Sequence, residues 1–414
     1  MKFIVSLDEP AASDASRFGS KAARLAALGR AGLPTPGGFC VDAAAYREQL
    51  AHLGLETAAR GVFSAEDRPQ ARRHALAVRL GLMQEPIVSA VLEELLCVRD
   101  CVVRSSALVE DRDGASFAGQ FQSYLGLETE ADFLTAVRAC WAALWSTRAL
   151  RYFATCELDP AQTAMGLIVQ PLVRARCAGG GLSRTADGDM LVNAAAGLGA
   201  SVAQGDVVPD AYVLERSGTL KESTVGTRYH SLNCAHGRRA FSRLLAAPTL
   251  DAEQLAEFAL LMRKCEDIVG GPVEIEWALD DAGIKLLQAR PLRVVEPHVP
   301  DEIWLKHPRL SGHPGGAGWG TGRARVVSCE CELERVAPGD VLVTTVAGPA
   351  LADVFHHVAG IVAELGGSTS HLASLARERG IPMVLGAADA TRRIPDGAMV
   401  AVDGVAGVVR WMRA

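Results

Sequence analysis

Residues 272 to 292 read PVEIEWALDDAGIKLLQARPL. Val273, Ile275, Trp277 and Leu279 alternate with Glu274, Glu276 and Ala278. A period of two is the spacing of a strand, so both glutamates point to one face. DDAG is a turn signal, and in the run that follows Ile284, Leu286, Gln288 and Arg290 share a face. If the two strands pair in matching register, two carboxylates, an amide and a guanidinium line one surface. Such a surface suits a metal nucleotide. Carboxylate and amide oxygens hold Mg²⁺, which also takes phosphate oxygens. The guanidinium neutralises phosphate charge as a transition state forms. A solvated face of an edge hairpin is the alternative that the pattern alone leaves open.

A chain of 414 residues is too long for one compact core and implies two or three domains. Apolar residues make up 49% but aromatics only 5%, with Ala and Gly abundant, which fits a helix-rich α/β (α+β) protein. A net charge of -6 excludes bulk attraction to nucleic acid or to an anionic membrane. The apolar run in MKFIVSLDEP is cut off by Asp8 and Glu9, so it reads as a first strand rather than a signal peptide. Nothing reaches the ~18 uninterrupted apolar residues of a membrane span. The ten cysteines include no C-x-x-C pair, which argues against a zinc ribbon or a thioredoxin motif. Reduced thiols and a cytoplasmic location are expected.

Residues 17 to 33 have helical spacing at Leu25, Leu28 and Leu33, stopped by Pro34. CVRDCVVRSS, residues 97 to 106, has strand character and ends in a polar turn. Residues 130 to 153 predict one long Ala-rich helix, 165 to 173 a strand, and 251 to 268 a helix with an Asp start. GLGASVAQGDVVPD, at 197 to 210, is Gly-rich. Residues 291 to 318 hold many prolines and glycines with little periodicity and read as an interdomain linker. Beyond them short strands alternate with turns, with one helix after His371.

His371 lies in ELGGSTSHLASLARERGIPMVLG. GIVAE, residues 360 to 364, predicts a buried strand, and Gly366-Gly367 permits a sharp turn. Ser368, Thr369 or Ser370 can cap the next helix, whose apolar face is Leu372, Leu375 and Ala376. Gly380 and Pro382 end it. His371 therefore falls in the first turn, where the helix dipole favours an anion and disfavours an imidazolium. A neutral ring nitrogen there is a competent nucleophile. By pattern alone a structural histidine stays open. His356 and His357 are adjacent on a predicted helix and do not share a face. His230, His236, His298, His307 and His313 fall in loop-like sequence without metal spacing, and His52 and His74 look like surface residues.

Two further stretches suit phosphate. In VVRSSALVEDRDGASFAGQ, Arg104 ends an apolar run and Gly114, Ser116 and Gly119 supply small residues that let backbone N–H groups approach an anion. Lys21 lies near the start of its predicted helix. A Gly/Ser-rich surface loop and a solvated lysine are the ordinary readings of the same residues.

GGSTSHLASLARERGIPMVLG closely resembles the phosphohistidine signature of the PEP-utilising enzyme family, the family of phosphoenolpyruvate synthase, pyruvate phosphate dikinase and rifampicin phosphotransferase. GSKAARLAALGRAGLPTPGGFCVDAAAY resembles its N-terminal ATP segment, and VRSSALVEDRDGASFAGQ its phosphate-binding segment. VEIEWALDDAGIKLLQARPL resembles its metal and catalytic hairpin. GDVLVTTVAGPAL and DGAMVAVDGVAGVV flank the histidine as in its swivelling domain. The resemblance implies an ATP-grasp-like domain over residues 1–295, a linker at 296–310 and a phosphohistidine domain over 311–414. It implies ATP and Mg²⁺ as cofactors. His371, Arg290 and Thr369 would be catalytic. Lys21, Arg104, Gly114, Ser116, Gly119, Glu274 and Gln288 would bind the nucleotide, and Glu276 with Gln288 the metal. Thr369 would hydrogen-bond the ring or its phosphate. Many members are dikinases: ATP ends as AMP, the β-phosphoryl goes to histidine and the γ-phosphoryl to water or phosphate.

Two departures qualify the likeness. Members acting on PEP or pyruvate carry a barrel after the swivelling domain, and rifampicin phosphotransferase an acceptor domain between its modules. The present sequence contains neither, so pyruvate turnover by this chain alone is not expected. Family members also carry acidic residues around the GLG, where Asn193 and Ala200 stand here. The expected activity is an ATP-dependent phosphotransferase working through phospho-His371 toward a small-molecule acceptor or a partner acceptor subunit, with no nucleic acid or membrane partner; a homodimer is open. Alternatives are a phosphocarrier subunit of a split enzyme, and an ATP-grasp ligase or condensing enzyme giving ADP.

Overall fold

The computed structural model describes residues 2–95, 100–110, 117, 119–226, 249–296, 301–345, 351 and 354–412. Cys97 to Arg99 of CVRDCVVRSS, the phosphate-loop residues Gly114 and Ser116, and His230, His236 and His298 lie outside the described residues. By its contacts the chain forms two compact units, Met1–Val173 with Lys285–Arg290, and Arg174–Ile284 with Pro291–Ala414.

The first unit holds β1 (Ile4–Ser6), β2 (Phe39–Val41), β3 (Cys101–Ala107), β4 (Ser123–Leu127) and β5 (Met165–Pro171). They form an antiparallel sheet in the order β1-β2-β5-β3-β4. The Ala15–Arg30 helix packs on it through Phe18, Ala22, Leu25 and Ala26, against Val5, Leu7, Cys40 and Ile168. That helix breaks at Gly19, where φ is 80°. A Cβ at this position would lie 2.4 Å from the Ser106 carbonyl oxygen, so glycine lets the helix start touch β3. The Ala-rich stretch expected as one helix is two, Glu130–Ala142 and Thr147–Thr155, joined by a 3-10 turn. Ser146 turns extended and caps the second, its hydroxyl accepting from the Ala149 N–H.

The second unit contains two sheets. The strands β6 (Cys177–Leu182), β7 (Met190–Ala196), β8 (Asp210–Leu214), β9 (Leu220–Thr224) and β10 (Val273–Asp280) run antiparallel in the order β10-β6-β7-β8-β9. The Ala252–Val269 helix, started by a capping box of Asp251 and Gln254, covers one face. Its Phe258 meets Trp277 of β10 with ring centroids 4.5 Å apart. After a turn at residues 281 and 282, β11 (Gly283–Pro291) carries the chain across the boundary between the units.

The second sheet of this unit comprises β12 (Arg309–Ser311), β13 (His313–Pro314), β14 (Trp319–Val327), β15 (Val341–Thr344), β16 (Gly360–Ala363), β17 (Met383–Leu385), β18 (Met399–Asp403) and β19 (Val408–Trp411), ordered β12-β19-β18-β14-β15-β16-β17-β13. From β14 to β17 the strands are parallel. Of these, β15, β16 and β17 are buried along their whole length and are almost wholly apolar, with Val341, Val343, Val362 and Val384 in the core.

Three sequence readings change here. The Pro/Gly segment 291 to 318 contains a helical turn at Glu302–Leu305 and the strands β12 and β13, which pair with β19 and β17. Strands of two or three residues are too short to show alternation, so their pattern was invisible. His313, read as a loop residue, lies in β13 and is buried. Residues 355 to 357 form a turn, so His356 and His357 are not on a helix.

Candidate functional site

The His371 element is built from local signals. After β16 the chain turns through Gly366, at φ 95°, and the helix His371–Arg379 begins at once. Of the three candidate caps it is Ser370 that serves, its hydroxyl accepting from the Ala373 N–H at 3.3 Å. Gly380, left-handed at φ 67°, closes the helix. His371 is thus the first helical residue, half-buried, while Ser368, Thr369 and Ser370 before it are buried. The Ser368 hydroxyl has no hydrogen-bond partner among the described residues.

This element lies on the face of the β6–β10 sheet opposite the Ala252–Val269 helix. Register puts Glu276 of β10 beside Gly180 of β6, and Gly180 beside Asn193 of β7. Glu274, two residues before Glu276, shares their face. Thr369 sits on Gly180: a Cβ there would come 2.5 Å from the Thr369 Cβ. The Thr369 hydroxyl donates to Asn193 Oδ1 at 3.3 Å, and Asn193 Nδ2 donates to the Asp210 carbonyl at 3.3 Å. Ser374 Oγ donates to Glu274 Oε1 at 2.8 Å, and Arg377 Nη2 to Glu274 Oε2 at 2.8 Å. Arg377 also donates to the Ser368 carbonyl at 2.6 Å, tying the helix back to its own entry turn. His371, Thr369, Glu274 and Glu276 are therefore gathered in the second unit.

Lys21, Arg104, Gly119, Gln288 and Arg290 belong to the first unit. Lys21 Nζ is 2.8 Å from Glu110 Oε1, and the Ala107 N–H donates to Glu110 Oε2 at 3.0 Å. Arg104 donates to the Leu287 carbonyl and to Gln288 Oε1, the latter at 3.0 Å. Gln288 and Arg290 are both buried. Gly119 is left-handed at φ 67°, a conformation that its lack of a Cβ permits. Sequence reasoning missed Glu110, although it lies in the quoted phosphate segment. An acidic residue after a strand resembles any surface turn until its lysine, 89 positions earlier, is seen across from it.

The donor types fit a magnesium nucleotide. Such an ion takes one or two protein oxygens and fills its shell with phosphate oxygens and water. Glu276 carries a carboxylate and Gln288 an amide oxygen, donor types of the kind such an ion takes. Among the described residues no cluster of three or more His, Cys, Asp or Glu side chains forms an all-protein cage. Among them, too, no helix is long and apolar enough to cross a membrane.

Comparison with known proteins agrees with the motif reading. A family model described as pyruvate phosphate dikinase, AMP/ATP-binding domain, matches residues 15–304. One described as PEP-utilising enzyme, mobile domain, matches residues 336–407. The chain is 30% identical over 433 residues to the probable phosphoenolpyruvate synthase of Methanothermobacter thermautotrophicus, covering 99% of this chain and 63% of the relative. It is 31% identical over 480 residues to the phosphoenolpyruvate synthase of Pyrococcus furiosus, covering 99% and 58%. Against that of Aeropyrum pernix it is 31% identical over 473 residues, again covering 99% and 58%. The chain spans less than two thirds of the length of each of these relatives. With a dikinase-type AMP/ATP-binding domain followed by a mobile domain that carries His371, the chain belongs to the PEP-utilising enzyme family.

Proposed function

We propose that this chain is an ATP-dependent, dikinase-type phosphotransferase that loads His371 and passes the phosphoryl group to a small-molecule acceptor. The observation that carries the reading is the position of His371. It opens a helix laid on the sheet face that bears Glu276, in a chain whose family model is an AMP/ATP-binding domain. In this scheme residues 1–295 bind the nucleotide, 296–310 link, and 311–414 carry the histidine to its acceptor.

A neutral imidazole nitrogen attacks the β-phosphorus of ATP. The bond to the AMP oxygen breaks, AMP leaves, and the γ-phosphoryl group is transferred to water as inorganic phosphate. Phosphoryl transfer asks for near in-line placement and charge neutralisation more than covalent help. Lys21, Arg104 and Arg290 supply positive charge, and Gly114, Ser116 and Gly119 supply backbone donors for phosphate oxygens. Glu276 and Gln288 would hold Mg²⁺, which when bound neutralises phosphate charge. Thr369, two residues before His371 in the chain, would accept from a ring N–H through its hydroxyl oxygen.

The purified chain is incubated with β-³²P-ATP and, separately, with γ-³²P-ATP. Acid-labile label on the protein from the β position, AMP as product, and no label in His371→Asn are the expected results. ADP as product with an unlabelled protein would overturn the reading and favour ligase chemistry. Transfer of the label to a small acceptor by the chain alone would remove the need for a partner subunit.

A further inference from the structure

The resemblance assigns Glu274 to the nucleotide, and in the structure its carboxylate meets the His371 helix. The side chains of Glu274 and Arg377 are 6% and 11% exposed, and their 2.8 Å ion pair is among the most buried in the second unit. Ser374 Oγ approaches both carboxylate oxygens, at 2.8 and 3.0 Å. Ser374 and Arg377 stand three and six residues after His371, on the same short helix. Beside this cluster the fit is steric. Gly180 has no side chain where Thr369 lies, and a Cβ on Gly367 would come 2.5 Å from the Pro209 ring. The Gly366 N–H donates to the Val207 carbonyl at 3.2 Å. The helix and its entry turn therefore meet the sheet at a shaped, charge-matched surface.

We propose that Glu274 is a positioning residue: it clamps the His371 helix, through Ser374 and Arg377, onto the sheet face that carries Glu276, and so sets the pose in which His371 is loaded. This rests on the phosphohistidine reading above. An ion pair with so little water around it is strong only when both partners are present, because a lone buried charge is costly. Separation of the helix from the sheet returns both charges to water. The clamp can thus open for delivery, while its hydrogen bonds orient the helix when it closes.

The test measures two quantities on the full chain: nucleotide affinity by equilibrium titration, and the rate at which saturating β-³²P-ATP labels His371. Glu274→Gln and Arg377→Gln should label about tenfold more slowly or worse, the scale of one lost charge-assisted hydrogen bond. Their nucleotide Kd should stay within about twofold of the wild type, a split that a general loss of folding would not produce. Gly180→Ala places one methyl against Thr369, changes no charge, and should slow labelling in the same way. A nucleotide Kd weakened about tenfold in Glu274→Gln, with the labelling rate restored by excess ATP, would overturn the proposal and make Glu274 a nucleotide ligand. Unchanged labelling in all three variants would also overturn it. Failure of the underlying reading is distinct, because the wild type itself would then take no label.

Discussion

On the proposed function, the His371 element and the Lys21 and Arg104 of the first unit solve the same problem, holding a side chain for phosphate chemistry, by opposite means. Around His371 the placement is local: a glycine turn, a serine cap and a left-handed glycine lie within 15 residues, from Gly366 to Gly380. In the first unit it is long-range. Lys21 is held by Glu110, 89 positions away, and Arg104 by Gln288, 184 positions away. A nucleophile must be presented to a reacting atom and then withdrawn, so it suits an element complete in itself. Groups that neutralise phosphate must stay put, and a partner from a distant stretch of the chain, the Glu110 carboxylate for Lys21 and the Gln288 amide oxygen for Arg104, keeps them there. The lesson is that a side chain presented by a self-contained helix start can be read from a short window, whereas one held by a distant partner cannot.

The largest expected contrast separates the two regions by activity. His371→Asn should remove phosphoryl transfer by about 10⁴-fold or more, the scale for loss of a nucleophile. Its thermal midpoint and nucleotide affinity should be unchanged. Lys21→Ala should instead weaken nucleotide binding about tenfold or more, from one lost charge-assisted contact. A stable His371→Asn protein that no longer bound nucleotide would break the comparison.

Next is Glu110→Ala, which leaves Lys21 in a largely buried position without that partner. Denaturant unfolding should show a loss of about 3 kcal/mol, together with weaker nucleotide binding. A loss below about 1 kcal/mol would show that Lys21 is held by water, as exposed pairs are.

The second unit carries its own titrating group. Burial lowers the His313 imidazole from 6.5 to about 4. The unfolded chain then binds a proton that the folded chain refuses, so stability is full above pH 6.5 and falls as pH drops toward about 4. The loss should approach about 3 kcal/mol at the acid end. Denaturation at a series of pH values, compared with His313→Gln, measures this: the variant should lose that part of the slope.

The smallest effect sharpens the local side of the contrast. Gly380→Ala places a Cβ in open space but keeps a left-handed backbone. The cost should be about 1 kcal/mol, read as a shift of the denaturation midpoint, with the labelling rate of His371 nearly unchanged.

Much of the fold is legible in the sequence. The strands Met165–Pro171 and Val273–Asp280 and the helices Ala252–Val269 and His371–Arg379 fall within a few residues of their expected bounds. Each has a full period of apolar residues and a recognisable start or stop. Where the reading failed, the signal was missing for a physical reason. The Ala-rich stretch keeps its helical spacing through Ser146, and only the extended backbone there reveals the break. The strands Arg309–Ser311 and His313–Pro314 are shorter than two periods of alternation.

Of the site, the sequence alone determined the residue types and their local presentation: His371 at a helix start, Glu274 and Glu276 on one strand face, and Arg104 on a largely buried strand, though in its middle rather than at the expected end. Spacing and backbone chemistry are short-range, so a short-range text can encode them. Tertiary structure alone decided which side chains pair. It set Glu110 against Lys21, Thr369 over Gly180, and Ser374 and Arg377 on Glu274. Those choices depend on burial, because a charge out of water must find its partner wherever the chain brings one, and sequence distance does not enter.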